Sequence, residues 1–304
     1  MVTSFSRSLR GELLLSVWPI RTGAIAMKHD PAYVMGRSEE ETRRLEQRAE
    51  FFYPSTRHLF EDAGITAGMK VLDIGSGAGD VSFLVAELVG PTGCVVGVDA
   101  NPDIVEAARA RARSARLTHV SFKAGDIRDL QLAPDFDAVV GRLVLMYSSE
   151  PAATLRSALR HVGRTGLAVF QEMNIGAPVW SEPPSALHQL LGRCVREVFA
   201  GGRVEMAMGT RLAEVFVAAG LEAPQLRTDA IIGAGRDWIQ RFGSAFGAGI
   251  LRSVLPAILE YGVATEAELD LDTFDERYCQ EIVRQGSVVQ WIPFVGAWAR
   301  RRAA

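Results

Sequence analysis

The residues best suited to chemistry gather in one short stretch, Asp73-Ile74-Gly75-Ser76-Gly77-Ala78-Gly79-Asp80, with Asp99 and Asp126 further along. Glycines in such a loop let the backbone turn sharply and approach a ligand, because no Cβ intervenes. A glycine loop alone does not name its ligand, since dinucleotide-binding folds use a similar device. Two details discriminate. The third glycine of the dinucleotide pattern GxGxxG would fall where this chain has Asp80. Asp73 and Asp80 also flank the loop, and carboxylates repel a pyrophosphate. The loop therefore suits a ligand with cationic groups and no phosphate. Asp99 stands where an acidic residue accepts ribose hydroxyls in nucleotide-binding folds. Asp126, followed by Ile127, can accept the proton of an adenine amino group while Ile127 covers one face of the base.

These residues need strands to carry them. Val71 to Ile74 reads as a buried strand before the loop, Val81 to Val89 as a helix, and Cys94 to Val98 as the next strand. A helix over 103–116, strands over 119–123 and 136–140, a helix over 151–161 and a strand over 167–170 continue the alternation. Strands alternating with helices of that length indicate an α/β fold with a doubly wound, mostly parallel sheet. Its ligand crevice lies at the carboxyl ends of the strands, where the glycine loop and all three acidic residues fall. Upstream, Ser38 and Glu41 form a capping box that opens a helix running to about Phe52. Residues 178–206 and 236–285 are too long for connecting loops and read as a cap insertion and a helical cap. Between them, 207–235 continues the core. Val288 to Trp298 returns to the sheet as its last strand, within a final segment 286–304.

VLDIGSGAG, VVGVDANP and AGDIRDL resemble, in order and spacing, the cofactor motifs of class I (Rossmann-like) S-adenosylmethionine-dependent methyltransferases of the small-molecule type. The resemblance covers about residues 30–175 and implies a seven-stranded sheet with the core starting near residue 61. S-adenosylmethionine carries an ammonium and a sulfonium but no phosphate, in keeping with the acidic flanks. By the resemblance, Asp73, Gly75, Gly77 and Gly79 hold its methionine part, Asp99 with Ala100 the ribose, and Asp126 with Ile127 the adenine. Arg142, Tyr33 and Gln47 are further cofactor contacts that it implies, the last two from a helical lid over 27–60. Glu172, ending the fifth strand, is the candidate general base or cation stabiliser. Tyr147 is a second candidate for the catalytic pocket. The expected activity is methyl transfer to an O, N or C atom of a largely apolar or aromatic small molecule. The alternative is a cofactor-binding protein on the same fold that has lost methyl transfer.

Composition narrows the partners. With 33 Lys and Arg against 36 Asp and Glu, the net charge of −3 leaves no footprint for nucleic acid. The base-methylating motif Asn/Asp-Pro-Pro-aromatic is also missing after the fourth strand. Arg109, Arg111, Arg113 and Arg116 alternate with small residues and read as a solvated helix face. Three scattered cysteines form no metal or disulfide spacing, which points to a reducing cytoplasm and disfavours thiol-dependent arsenite chemistry. No run of apolar residues is long enough to span a bilayer, and residues 1–26 read as a disordered extension that only loosely imitates a signal peptide. Trp180, Phe199, Trp238, Phe242, Phe246, Trp291 and Phe294 fall in the cap and tail, read chiefly as core with some available to an apolar acceptor.

Overall fold

In the computed structural model the described residues are 39–133, 135–202 and 204–301, with the side chains of 39–49 left aside. Chain order runs α1 (Glu39–Ala63), β1 (Lys70–Ile74), α2 (Asp80–Val89), β2 (Cys94–Asp99), α3 (Pro102–Ser114), β3 (Val120–Ala124) and β4 (Phe136–Arg142). A 3-10 turn at Leu145–Tyr147 leads to α4 (Pro151–Leu159), β5 (Val162–Met173) and β6 (Trp180–Glu182). Then come α5 (Ala186–Gly201), α6 (Met208–Ala218), β7 (Gln225–Asp229), β8 (Ile232–Gly233), α7 (Arg236–Phe246) and α8 (Ala248–Glu260). The series ends with α9 (Glu266–Leu269), α10 (Phe274–Gln285), β9 (Val288–Gln290) and β10 (Phe294–Arg300).

Seven strands form one sheet in the order β3-β2-β1-β4-β5-β10-β7. The first five are parallel, and β10 runs antiparallel to both β5 and β7. β1 and β4 are buried on both faces, as their runs of Val, Leu, Ile and Ala demand of parallel strands covered by helices. Order reverses between β1 and β4, so the crevice opens there, past the carboxyl ends of the strands.

Two expectations need correction. The first helix does not stop near Phe52; α1 runs to Ala63 with Pro54 inside it. Leu59 and Phe60 anchor its second half in the core, and that burial outweighs the hydrogen bond lost at the proline. The segment 288–298 is likewise not one strand. β9 joins β6 and β8 in a small antiparallel sheet, and only β10 enters the main sheet, in its interior rather than at an edge. Trp291-Ile292-Pro293 divides the two, with Trp291 and Ile292 fully buried.

The arginines of α3 are also less solvated than expected. Arg109 donates to the Phe122 carbonyl, and Arg111 bonds the Ala78 carbonyl at 2.7 Å and Asp80 at 2.8 Å. Arg113 and Arg116 remain exposed.

Helices α5, α7, α8 and α10 pack on one another around Phe242, Phe246, Tyr278 and His188. His188 bridges their layers: its Nδ1 accepts from the Tyr278 hydroxyl and its Nε2 donates to the Gln290 carbonyl, both at 2.9 Å. Burial lowers its pKa and keeps this ring neutral. The stretch 236–260 is long and apolar enough in composition to cross a membrane, yet it is two helices bent at Gly247, and 61% of its most apolar 18-residue window is buried. Gly247 is required there. A Cβ would sit 2.1 Å from Asp275 Oδ1, which accepts the Ala248 N–H at 2.7 Å.

Candidate functional site

The glycine loop follows β1 directly. Gly75, Gly77 and Gly79 all have positive φ, at 63°, 52° and 95°. A Cβ on Gly75 would lie 2.5 Å from Val144 Cγ2, so the turn and the segment after β4 close up only around a glycine. Asp99, at the end of β2, orders the loop. Its Oδ2 accepts the Gly77 N–H and its Oδ1 the Asn101 N–H, each at 2.9 Å. The same carboxylate therefore stands half-buried beside the loop, with Ala100 exposed next to it.

Asp73 is fully buried. Its Oδ2 accepts from Ser82 Oγ at 2.6 Å, while Oδ1 has no hydrogen-bond partner. Loss of water pushes its carboxyl up to about 7, against the pull of the Ser82 hydroxyl and the nearby Arg142 charge. Asp80, by contrast, is tied to Arg111. Asp126 ends the crevice beyond β3, where Arg128 grips it with side chain and backbone and holds its pKa below the ordinary value. Ile127 beside it is buried. The structure thus brings the expected loop and acidic residues to the carboxyl ends of three adjacent strands, β3, β2 and β1.

Arg142 closes β4. Its Nη1 donates to Thr56 Oγ1 at 3.1 Å, and its guanidinium lies 5.5 Å from the centre of the Phe52 ring. Thr56 passes the chain on, donating to Gln171 Oε1 at 2.7 Å, and Gln171 Nε2 donates to Ser55 Oγ at 2.8 Å. Sequence reasoning did not find Phe52, Ser55, Thr56 or Gln171. Phe52, Ser55 and Thr56 share one face of α1 at i, i+3 and i+4, a signal lost where the helix is expected to end at Phe52, and Gln171 joins them from β5.

Glu172 holds the turn after β4 with one carboxylate oxygen and leaves the other, Oε2, buried without a partner among the described residues. It is fully buried, and its Oε1 accepts the N–H groups of Val144 and Leu145 at 3.0 and 2.7 Å. It fixes the turn after β4. Burial pushes its carboxyl up to about 7 despite those bonds. Tyr147 sits half-buried at the end of the same turn and packs against the core. Tyr33 lies outside the described residues, and Gln47 lies on α1 with its side chain outside them.

A cavity of about 400 Å³ opens between α1, α7 and the ends of β5, β10 and β7. Phe51, Phe52, Ile231, Trp238 and Phe294 form its apolar walls, while Ser55 and Gln171 supply neutral polar groups and Glu50, His58, Asp229 and Arg241 ionisable ones. Of the aromatic residues expected in the cap and tail, only Trp238 and Phe294 reach it. Phe242, Phe246 and Trp291 are core, and Trp180 is exposed.

Known proteins place this geometry. A family model for the methyltransferase domain matches residues 65–209, the segment that carries the glycine loop, Asp99, Asp126 and Arg142. By that match, residues 65–209 are similar to methyltransferase domains. Curated relatives of this domain include nocamycin O-methyltransferase of Saccharothrix syringae, 39% identical over 122 residues, which are 39% of this chain and 44% of that protein. Aklanonic acid methyltransferase of Streptomyces sp. (strain C5) is 35% identical over 119 residues, 38% of this chain and 54% of the relative. The chain spans about half the length of these relatives. Among solved structures, the [4+2]-cyclase SpnF superposes with a TM-score of 0.53 at 21% identity, covering 83% of this chain and 82% of that one. The YcgJ protein of Bacillus gives 0.52 at 19%, covering 83% and 100%. At those identities the likeness speaks for the fold of the methyltransferase domain alone.

The site passes a test of fit for S-adenosylmethionine. Its loop closes only around glycine at position 75, and Asp73 keeps one buried carboxylate oxygen without a partner. A ligand with an ammonium group answers that oxygen. Thiol chemistry fits less well. Burial pushes the Cys194 thiol up to about 11, away from the thiolate, and no cluster of metal-ligating residues occurs among the described residues.

Proposed function

We propose that this chain transfers a methyl group from S-adenosylmethionine to an O, N or C atom of a largely apolar small molecule. The observation that carries this reading is the set of acidic strand ends around the glycine loop, above all Asp99 locked to Gly77 and Asn101. Asp99 is a fixed acceptor for ribose hydroxyls, with Ala100 beside it. Asp126 and Ile127 frame the adenine, and Asp73 with Gly75, Gly77 and Gly79 takes the methionine part. Tyr33 and Gln47 remain candidates from the N-terminal side. When bound, the cofactor supplies a methyl carbon already activated by a positive sulfur.

The acceptor belongs in the cavity walled by Phe51, Phe52, Trp238 and Phe294, over the neighbouring half of the sheet. Such walls favour a molecule with an apolar body, and Trp238 and Arg241 of α7 line one side of it. The names of relatives that methylate small molecules support that class. The residues then act chiefly by aligning the acceptor and excluding solvent. Glu172 and Tyr147 serve the site by shaping the turn after β4, and an acceptor that arrives ionised needs no base. Calorimetric titration tests the reading. S-adenosylmethionine and S-adenosylhomocysteine should bind while NAD does not, and silence from the first two removes it. Release of S-adenosylhomocysteine in the presence of an acceptor then reports turnover.

A further inference from the structure

The hydrogen-bond chain that runs from the end of β4 to the cavity has a direction. It starts at Arg142, whose guanidinium can only donate and stays charged. Arg142 Nη1 donates to Thr56 Oγ1 at 3.1 Å, so the Thr56 hydroxyl proton points elsewhere. Two acceptors are in reach, Gln171 Oε1 at 2.7 Å and the Phe52 carbonyl at 2.9 Å. The shorter contact has the length usual for a hydroxyl donating to oxygen. With Oε1 turned to Thr56, the amide nitrogen of the buried Gln171 faces Ser55 and donates to its Oγ at 2.8 Å. Ser55 is thereby an acceptor on its inner side. Its own proton meets no acceptor among the described residues and is left for the cavity that Ser55 and Gln171 line.

Each donor in such a chain polarises the next, and here the first carries a full positive charge. A hydroxyl at the end of it is a strong donor and a poor base. Its best partner is an ionised oxygen, because a charge-assisted hydrogen bond is about twice as strong as a neutral one. We propose that Ser55 is the specificity residue of the cavity, receiving a phenol-like hydroxyl of the acceptor in its ionised form. This rests on the reading that the acceptor occupies that cavity. Thr56 and Gln171 are positioning residues that aim the Ser55 proton. Phe51, Phe52, Trp238 and Phe294 take the ring that makes such a hydroxyl acidic. Glu50, His58, Asp229 and Arg241 also line the cavity, and Asp229 is held by Arg227. Whatever those groups add to the binding of an anion persists when Ser55 is changed, which separates them from it.

4-Nitrophenol, whose anion absorbs visible light, and its methyl ether 4-nitroanisole test this in the full chain. Absorbance of the bound phenol against pH reads its pKa, and competition between the two probes reads their relative affinity. Apolar walls alone raise the pKa of a bound phenol, and the Ser55 donor opposes them. Relative to the neutral phenol, the wild type should hold the anion about tenfold more tightly than S55A does, seen as a lower pKa of the bound probe. S55A should bind 4-nitroanisole within about threefold of the wild type, since the ether brings no charge to the donor. Q171E reverses the direction of the chain. An ionised carboxylate only accepts, so Ser55 must donate to it, and the preference for the anion should be lost as in S55A. A bound phenol with the same pKa in the wild type and S55A overturns the proposal, as does a Q171E protein with the wild-type preference. If the wild type binds both probes equally where the phenol is ionised, the Ser55 assignment falls and the cavity reading stands. If it binds neither, both fall.

Discussion

Asp73 and Glu172 are buried carboxyls pushed up to about 7, so each keeps a proton in the folded protein at a pH where the unfolded chain has lost it. Their contribution to stability is whole below about pH 4, declines as pH rises to about 7, and is gone above it. The ligand-free protein should therefore melt at falling temperature between pH 5 and 8. D73N should show a shallower decline and melt higher than wild type at pH 8; a lower melting point there would mean that the ionised form is held by a partner. An ammonium ligand reverses the preference at Asp73. Affinity for S-adenosylhomocysteine should climb with pH below 7, approaching about tenfold per unit where binding needs the ionised carboxyl. Asp99→Ala removes the acceptor of the Gly77 and Asn101 N–H groups and should weaken cofactor binding by about 1–3 kcal/mol in calorimetry. For Glu172, the amide in Glu172→Gln still accepts from Val144 and Leu145, so turnover should fall less than about tenfold, whereas a catalytic base would cost about 100-fold or more. Glu172→Ala strands two buried donors and should cost about 1–3 kcal/mol of stability in urea unfolding.

Elements decide what those residues face. α7 and α8 meet at an elbow that leaves no room for a side chain, and Gly247→Ala should cost about 2 kcal/mol in urea unfolding as Asp275 is displaced. That elbow was not readable from the chain, because a glycine between two apolar helical runs looks the same whether the helices bend or continue. The parallel core was readable. Its strands are short apolar runs ended by acidic residues, and β1, β2 and β4 appear within a few residues of their expected bounds. α1 was readable only to its midpoint, since Pro54 predicts a stop that tertiary burial of Leu59 and Phe60 overrides. Glu172 was placed correctly at the end of a strand, but its partners are backbone N–H groups from Val144 and Leu145. Sequence carries no mark of such a long-range bond. Phe51 and Ile231 were missed for the same reason, because they meet Trp238 and Phe294 at the cavity only through the fold.

At the scale of the molecule, the cofactor half and the cavity half share one sheet and are joined by the chain Arg142–Thr56–Gln171–Ser55. Ligand binding to the first half should thus be felt as global stability. At 100 times its dissociation constant, S-adenosylhomocysteine should add about 2.7 kcal/mol, read as a rise in melting temperature of about 5 °C or more. The position of β10 has another consequence, for the order in which the molecule can be completed. β5 and β7 never touch; both hydrogen-bond to a strand that is translated some seventy residues after β7. Until Phe294–Arg300 emerges from the ribosome, β5 presents an unpaired edge of buried, apolar residues and β7 has nothing to join. In the nascent chain that edge of β5 therefore stays open until the later strand inserts between it and β7.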